Sequence, residues 1–265
     1  EIINGFLQWD SPLKNKAIFD LSSYAIEYSI LTNNSTISIQ SLRNKQIYLD
    51  TNVIYRALGI NGSSRESLTR TFLQKFNEVG EKLYISKHTE TEFKDSIKFH
   101  IGNIEKFNTP RVSSNVYLET SVNEEIYHYY HKWRTNKANS STSLFLAHIY
   151  NLYDRFKLEY KITVENICPY NADGEETVLQ LQQMSSQILS KKAEVDITTY
   201  EHSAYIDAQN ILWIEHTRGR VCRSIHDANS FLISTDQTLR RWDYLRNDDI
   251  PVVLLPSQWL SIVLR

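Results

Sequence analysis

Cysteine, glycine and proline are scarce in this chain of 265 residues, which contains two, seven and five of them respectively. Cys168 and Cys222 lie far apart and match no metal-ligand spacing, so we interpret them as isolated thiols in a reducing compartment. So few glycines and prolines argue against long flexible linkers. We therefore expect a folded cytoplasmic protein without a disulfide framework or a cysteine-based metal site.

Long apolar runs and a strong net charge are missing as well. The longest apolar stretches, such as 252–255 and 143–147, are far shorter than the about 20 residues that a membrane-spanning helix needs, and no signal peptide opens the sequence. The net charge is −2, whereas proteins that bind nucleic acid over a wide surface are usually basic. We expect no membrane partner, and any nucleic-acid contact must use a local patch.

The N-terminal part of the chain is predicted to be a helical extension over residues 1–44. Apolar residues recur between Leu13 and Leu31 at helical spacing, which predicts a helix over 12–32. The first residue is Glu1 rather than Met. We expect the chain to be a fragment, and we consider an upstream domain and an inhibitory protein as partners.

Residues 45–265 show the pattern of an α/β domain, because short continuous apolar runs alternate with helical segments. This pattern predicts a central parallel sheet covered by helices on both faces. A large helical insertion is expected over 100–195; within it, 117–134 should be one helix, and 161–167 either a short strand or a connector. The four predicted strands are 46–50, 82–86, 230–235 and 251–256.

Four carboxylates fall where such a sheet would bring them to one edge. Asp50 and Asp236 directly follow predicted strands, and ligands bind at the carboxyl ends of the strands in open parallel sheets. Glu92 follows the second strand, three residues after Thr89, a capping-box spacing that predicts a helix start. Asp207 lies on a helix face that its apolar neighbours turn toward the sheet. Crowded acids repel one another, and a divalent cation such as Mg²⁺ or Mn²⁺, which prefers oxygen ligands, relieves that repulsion.

The segments around these acids resemble a PIN domain, the metal-dependent nuclease fold that cuts mainly RNA. The family's first motif is an apolar strand followed by Asp, a small or hydroxyl residue and often Asn. Its second acid opens a helix, its third commonly stands in Asp-Ala before apolar residues, and its fourth motif ends a strand in Thr-x-Asp or close to it. The corresponding segments here are "IYLDTN" with Asp50, "YISKHTETEF" with Glu92, "YIDAQNILWI" with Asp207 and "FLISTDQTL" with Asp236.

The resemblance covers residues 46–95 and 200–263, and it implies a PIN-like fold and a metal-dependent endoribonuclease. One or two Mg²⁺ or Mn²⁺ ions would be held by the four acids, which would be both metal ligands and catalytic residues. The stretch between the second and third acids is much longer than in the compact toxin-type members of the family. Asn52, Ser234 and Thr235 are the expected supporting residues.

Several of these residues also have a purely structural interpretation. Asp50 and Asp236 each precede a predicted helix, where Asp is a common N-cap. Asn52 could position Asp50 or a metal-bound water, or it could simply bond the turn backbone. Asp243 is expected to form a surface ion pair with a nearby arginine rather than to support the site.

RNA is the expected substrate, with Arg240 and Arg241 holding its phosphates beside Asp236; otherwise these two arginines form a solvated charged face. Two alternatives remain open. A flap-type or single-strand DNA nuclease would use the insertion as a cover over the site, and a catalytically silent PIN-like scaffold would only bind RNA or protein. The insertion itself is expected either to select substrates or to dock a partner.

Overall fold

A computed structural model of the protein divides the chain into two compact units, Glu1–Ser41 and Leu42–Arg265. In the first unit only residues 11, 13 and 14 are described, so the predicted helix over 12–32 and most of the predicted extension lie outside the described residues. All further elements belong to the second unit. The structure describes residues 11, 13–14, 45–106, 113–120, 125–135, 137, 139–195, 201–219, 221–222, 225, 227–246 and 250–263.

A five-stranded, all-parallel sheet forms the centre of the second unit, with the strand order β3-β2-β1-β4-β5. The predicted parallel sheet is confirmed, and all four predicted strands are present. The edge strand β3 comes from the 100–195 range, so this range contributes a strand to the sheet as well as helices. The strands are β1 (Gln46–Leu49), β2 (Lys82–Ser86), β3 (Thr163–Glu165), β4 (Ser230–Ile233) and β5 (Val253–Leu254).

Ten helices accompany the sheet in the described part of this unit. None of them is both long and apolar enough to cross a membrane. The range 117–134, which was predicted to be one helix, instead contains the end of α4 and the whole of α5. The helices are α1 (Thr51–Ala57), α2 (Ser63–Val79), α3 (Lys87–Lys106), α4 (Ser114–Thr120), α5 (Ile126–Arg134), α6 (Thr142–Glu159), α7 (Glu175–Ala193), α8 (Glu201–Arg218), α9 (Gln237–Arg246) and α10 (Pro256–Val263).

Strand β1 separates two hydrophobic cores. Successive side chains of a strand point to opposite faces, so Ile47 and Leu49 are buried in one core while Tyr48 is buried in the other. The first core includes residues of α1, α2, α3, α6 and α10, and the second includes residues of α7, α8 and α9. Burial on both faces explains why the strands read as continuous apolar runs.

Helix α3 begins earlier than the capping-box spacing predicts. Its first residue is Lys87 rather than a residue after Thr89, and the backbone N–H of Thr89 donates to Oγ of Ser86 at 3.1 Å. Ser86, the last residue of β2, therefore acts as the N-cap in place of Thr89. The turn from strand to helix is immediate, which places Glu92 in the second turn of α3.

Asp243 is buried, and the prediction of a surface ion pair is wrong in that respect. Its side chain does pair with Arg246, with 2.9 Å between Oδ1 and Nε. Its other oxygen, Oδ2, accepts hydrogen bonds from the backbone N–H groups of Val252 and Val253 at 2.6 and 2.8 Å. Arg246 also pairs with Glu215 of α8. Asp243 thus joins α9 to the start of β5, and through Arg246 to α8.

We predict that Asp243→Asn destabilises the protein by about 2–4 kcal/mol, because an amide that replaces Oδ2 would face two backbone donors and leave them unpaired in a buried place. Urea denaturation measures this loss. Asp154→Asn is the matched control, since Asp154 is exposed and, among the residues that the structure describes, forms its ion pair with Lys157 alone. It should change stability by less than about 0.5 kcal/mol. Equal stability of the two variants would contradict the structural role of Asp243.

Candidate active site

The four predicted acids come together at the carboxyl edge of the sheet. Asp50 directly follows β1, Asp236 follows β4 after two residues, Glu92 lies on α3 and Asp207 lies on α8. Because β1 pairs with both β2 and β4, three of the acids arise from adjacent strand ends. Asp50 is the common neighbour, since its charge acts on each of the other three.

Asp50 is buried and held by three hydrogen bonds. Its Oδ1 accepts from the backbone N–H of Thr51 at 2.7 Å, and its Oδ2 accepts from Asn52 Nδ2 at 2.6 Å and from Ser234 Oγ at 2.5 Å. Asn52 also accepts, through Oδ1, from the backbone N–H of Thr235 at 3.0 Å. The predicted supporting residues Asn52, Ser234 and Thr235 therefore all belong to one network, and this network fixes the orientation of the Asp50 carboxylate.

A hydroxyl group connects Glu92 to the turn that follows β1. Oγ1 of Thr51 donates to Oε2 of Glu92, so the residue between Asp50 and Asn52 spans from the β1 end to helix α3. Glu92 Oε1 accepts no hydrogen bond from the residues that the structure describes. One oxygen of Glu92 is thus fixed while the other is available to a ligand.

Lys192, at the end of α7, is the site residue that sequence reasoning missed. Its Nζ lies 2.6 Å from Oδ2 of Asp207 and 2.7 Å from Oδ2 of Asp236. The signal was present in the sequence: α7 buries Met184 and Ile188, and Lys192 continues that stripe at the next four-residue step. A lysine that extends a buried helical stripe must find acidic partners, and here it finds two.

A buried polar group fixes α8 against the strand-helix turn at β2 and α3. Oδ1 of Asn210 accepts from Ser86 Oγ at 2.6 Å and from Thr89 Oγ1 at 3.2 Å. Asn210 lies one helical turn after Asp207, and Thr89 lies one turn before Glu92, so these bonds set the relative position of the two carboxylates. The sequence gives no signal for this role of Asn210, because its two partners lie more than 120 residues away along the chain.

Burial and like-charge repulsion shift three of the acids, Asp50, Glu92 and Asp207, toward their neutral forms. Burial, reinforced by the charge of Asp50, raises the pKa of Glu92 to about 7. Burial raises the pKa of Asp207 well above its ordinary value, against the attraction of Lys192 and with repulsion from Asp50. The pKa of Asp50 is also raised by burial, although the hydrogen bond from Ser234 opposes the rise. The site carries more negative charge than its protein surroundings favour.

Lys192 responds in the opposite sense. Burial by itself lowers the pKa of its ammonium group, but the charges of Asp207 and Asp236 outweigh burial and raise the pKa above its ordinary value. We therefore treat Lys192 as a permanent cation. It also attracts Asp50 and Glu92 at longer range.

The donor types at this edge fit a hard divalent cation, because they are carboxylate oxygens from four elements. Glu92 Oε1 and Asp207 Oδ1 have no hydrogen-bond donor within the described part of the chain. However, the present side-chain positions do not bring three ligands together. Among the described residues, no group of three Asp, Glu, His or Cys side chains lies close enough to hold one ion. The chemistry of the donors fits Mg²⁺ or Mn²⁺, and Lys192 holds two of the four acids.

Asp50 and Asp236 each cap a helix and also belong to the acid cluster. Asp50 is the N-cap of α1. Asp236 Oδ1 accepts from the backbone N–H groups of Thr238 and Leu239 at 2.8 and 3.0 Å, as an N-cap of α9 does, while Oδ2 pairs with Lys192. Each carboxylate uses one oxygen to start a helix and keeps the other inside the cluster.

The two predicted phosphate-binding arginines lie on α9, which Asp236 caps. The Arg240 guanidinium lies over the ring of Tyr244, 5.2 Å from its centroid, and Arg241 is exposed. Neither forms an ion pair with the four acids among the described residues. Both are close to the site in sequence, and their phosphate-binding role stays a prediction.

Comparisons with protein-family models, with curated proteins and with solved structures find no match to this chain. Its chemistry must therefore come from the site itself. Crowded carboxylates at a sheet edge are suited to binding a cation and to polarising water.

We predict that metal-free protein loses stability as the pH rises from about 5 to 7.5. A carboxyl group whose folded pKa lies above its unfolded value binds more protons in the native state, so raising the pH through that range favours unfolding. Glu92→Gln stays neutral and should make this loss smaller, while Glu81, whose pKa burial also raises to about 7, still contributes to it. At pH 7.5 it should be more stable than the unaltered chain by about 2 kcal/mol, a rise of ~4–8 °C in Tm.

The matched control for Glu92→Gln is Asp95→Asn, which lies on the same helix with an exposed side chain. Thermal unfolding in EDTA across this pH range should show the same slope for Asp95→Asn as for the unaltered protein. If Glu92→Gln has that slope as well, the electrostatic description of Glu92 is wrong.

Proposed function

We propose that this chain is a PIN-like, metal-dependent endoribonuclease that hydrolyses phosphodiester bonds. One observation carries the proposal: four carboxylates from four separate elements meet at the carboxyl edge of one parallel sheet. The segments that resemble the PIN family, 46–95 and 200–263, supply β1, β2, β4 and β5. The family's first and fourth motifs would then lie side by side, which agrees with the direct pairing of β1 with β4.

In the proposed mechanism, Asp50, Glu92, Asp207 and Asp236 would hold Mg²⁺ or Mn²⁺. At this site the metal would supply an activated water and positive charge to offset the charge on the phosphate and on the leaving oxygen. Hydrolysis adds one water and breaks one phosphorus–oxygen bond, leaving a phosphate monoester and a hydroxyl group. Substrate phosphates would approach from the side of α9, where Arg240 provides positive charge.

The chain's own residues would fix the geometry of that reaction. Asn52 and Ser234 hold Oδ2 of Asp50, which prevents this carboxylate from rotating. Thr51 holds one oxygen of Glu92 and leaves the other free. Such a preorganised set of oxygens costs little reorganisation when a ligand binds.

The first test of this function is cleavage of matched RNA, single-stranded DNA and flap DNA with Mg²⁺ or Mn²⁺. We expect cleavage of single-stranded RNA, and its loss in EDTA. Cleavage of the DNAs alone would replace the ribonuclease assignment with the flap-type alternative. Binding of RNA without cleavage of any substrate at millimolar metal would favour the silent scaffold.

We predict that Asp50→Asn and Asp236→Asn each reduce the rate of cleavage more strongly than a change at a residue that only orients a metal ligand. Changes of the latter kind typically cost about 10–100-fold. Asn caps helices as well as Asp does, so both variants should keep helices α1 and α9 and fold normally. Single-turnover rates, together with circular dichroism, measure the two effects. Asp95→Asn serves as the exposed control, and near-parental rates for either site variant would remove that acid from the essential set.

We predict a smaller effect for Ser234→Ala. It removes one of two donors to Asp50 Oδ2 without removing any proposed ligand, so cleavage should fall by about 10–100-fold. Added Mn²⁺ should recover part of this loss, because a weakened site fills at higher metal concentration. A rate equal to that of Asp50→Asn would mean that the hydroxyl itself takes part in the reaction.

A further inference from the structure

The four acids form two pairs, which differ in the groups that bind their carboxylates. Asp207 and Asp236 share the ammonium group of Lys192 at 2.6 and 2.7 Å. Asp50 and Glu92 instead receive neutral hydrogen bonds from Thr51, Asn52 and Ser234. One pair therefore already contains a cation supplied by the chain, and the other pair does not.

Lys192 is built into this position rather than resting on the surface. Its side chain is only 13% exposed, and those of Asp207 and Asp236 are 11% and 25% exposed. Helix α7 is anchored on α8 and the sheet by Met184 and Ile188, which are buried in the second core. Moving Lys192 away would take the cation from the largely buried carboxylates of Asp207 and Asp236, which is costly.

The neighbouring lysine provides an internal contrast. Lys191 is 51% exposed and pairs with Glu194 on the outside of the same helix. The two lysines differ by one position and therefore by about 100° around the helix axis. Only Lys192 is turned into the acid cluster.

We propose that Lys192 takes the place of a second metal ion, so that the centre binds a single divalent cation on the side of Asp50 and Glu92. This inference rests on the proposed function and specifies its metal content. A second divalent ion between Asp207 and Asp236 would have to displace or repel a buried, doubly paired ammonium group. Mg²⁺ commonly uses only one or two carboxylates, with waters and substrate phosphates completing its shell, so Asp50 and Glu92 suffice as the direct ligands of one ion. On this inference Asp207 and Asp236 would act on that ion through their charge and through its bound waters rather than by direct ligation.

The arrangement assigns Lys192 a positioning role as well. By pairing with Oδ2 of both Asp207 and Asp236, it holds carboxylates from α8 and from the end of β4 together without metal. Two-metal centres use their second ion for such a clamp and for offsetting charge on the leaving oxygen. Here Lys192 provides the clamp and one positive charge.

The test is the number of Mn²⁺ ions bound per chain, measured by titration calorimetry and by electron paramagnetic resonance without any substrate. We expect one ion for the unaltered protein and no spin coupling between ions. Lys192→Met should bind two ions with coupled spectra, because Asp207 and Asp236 lose their cation. Lys192→Arg, which keeps the charge, and Lys191→Met, the exposed control, should each bind one.

A second readout needs no metal. In EDTA, Lys192→Met should have a lower Tm than Lys191→Met, since Asp207 and Asp236 lose the ammonium group that they share, and Mn²⁺ should raise the Tm of Lys192→Met more than that of the unaltered protein. If Lys192→Met does not fold without metal, the stoichiometry of the unaltered protein and of Lys192→Arg still decides the matter.

Two bound ions in the unaltered protein, or one bound ion in both Lys192→Met and the unaltered chain, would overturn the role of Lys192 and leave the nuclease proposal intact. If neither the unaltered chain nor Lys192→Met binds Mn²⁺, the metal centre itself is wrong, and with it the proposed function. Cleavage assays are not needed to separate these outcomes.

Discussion

Repulsion among four carboxylates is the constraint on which this unit depends. Asp50 lies within electrostatic reach of Glu92, Asp207 and Asp236, and burial adds a cost for each charge. Left uncompensated, such a cluster would force the edges of the sheet and the helices apart. The chain offsets this in two ways, with neutral hydrogen-bond donors around Asp50 and Glu92 and with Lys192 between the other two acids.

The elements around the cluster hold the acids in place although they repel. Asp50 and Asp236 each start a helix with one carboxylate oxygen, so moving either acid would also unwind a helix N-terminus. Asn210 bonds the β2–α3 turn and thereby ties the helix of Asp207 to that of Glu92. Repulsion among the acids costs stability at the site, and the helix caps and the Asn210 hydrogen bonds around it offset that cost.

The 100–195 range has a wider role than its description as an insertion suggests. It contributes the edge strand β3, and Glu165 in that strand accepts hydrogen bonds from Tyr48 and Trp213. It also contributes α7, whose last turns carry Lys192. A segment placed between Glu92 and Asp207 therefore completes both the sheet and the charge balance of the site.

Local patterns in the sequence determined four of the five strands, their parallel arrangement and the four acids at one edge, whereas they left β3 open as either a strand or a connector. Short apolar runs that stop at a carboxylate are local, and parallel sheets bury both faces, so these features could be predicted residue by residue. Tertiary structure alone decided the rest: that Lys192 lies between Asp207 and Asp236, that Asn210 joins two helices, and that Asp243 is buried. Each of these depends on partners brought together by packing. Periodicity shows which face of a helix is buried, but the partner that this face meets is set by how the helices pack on the sheet.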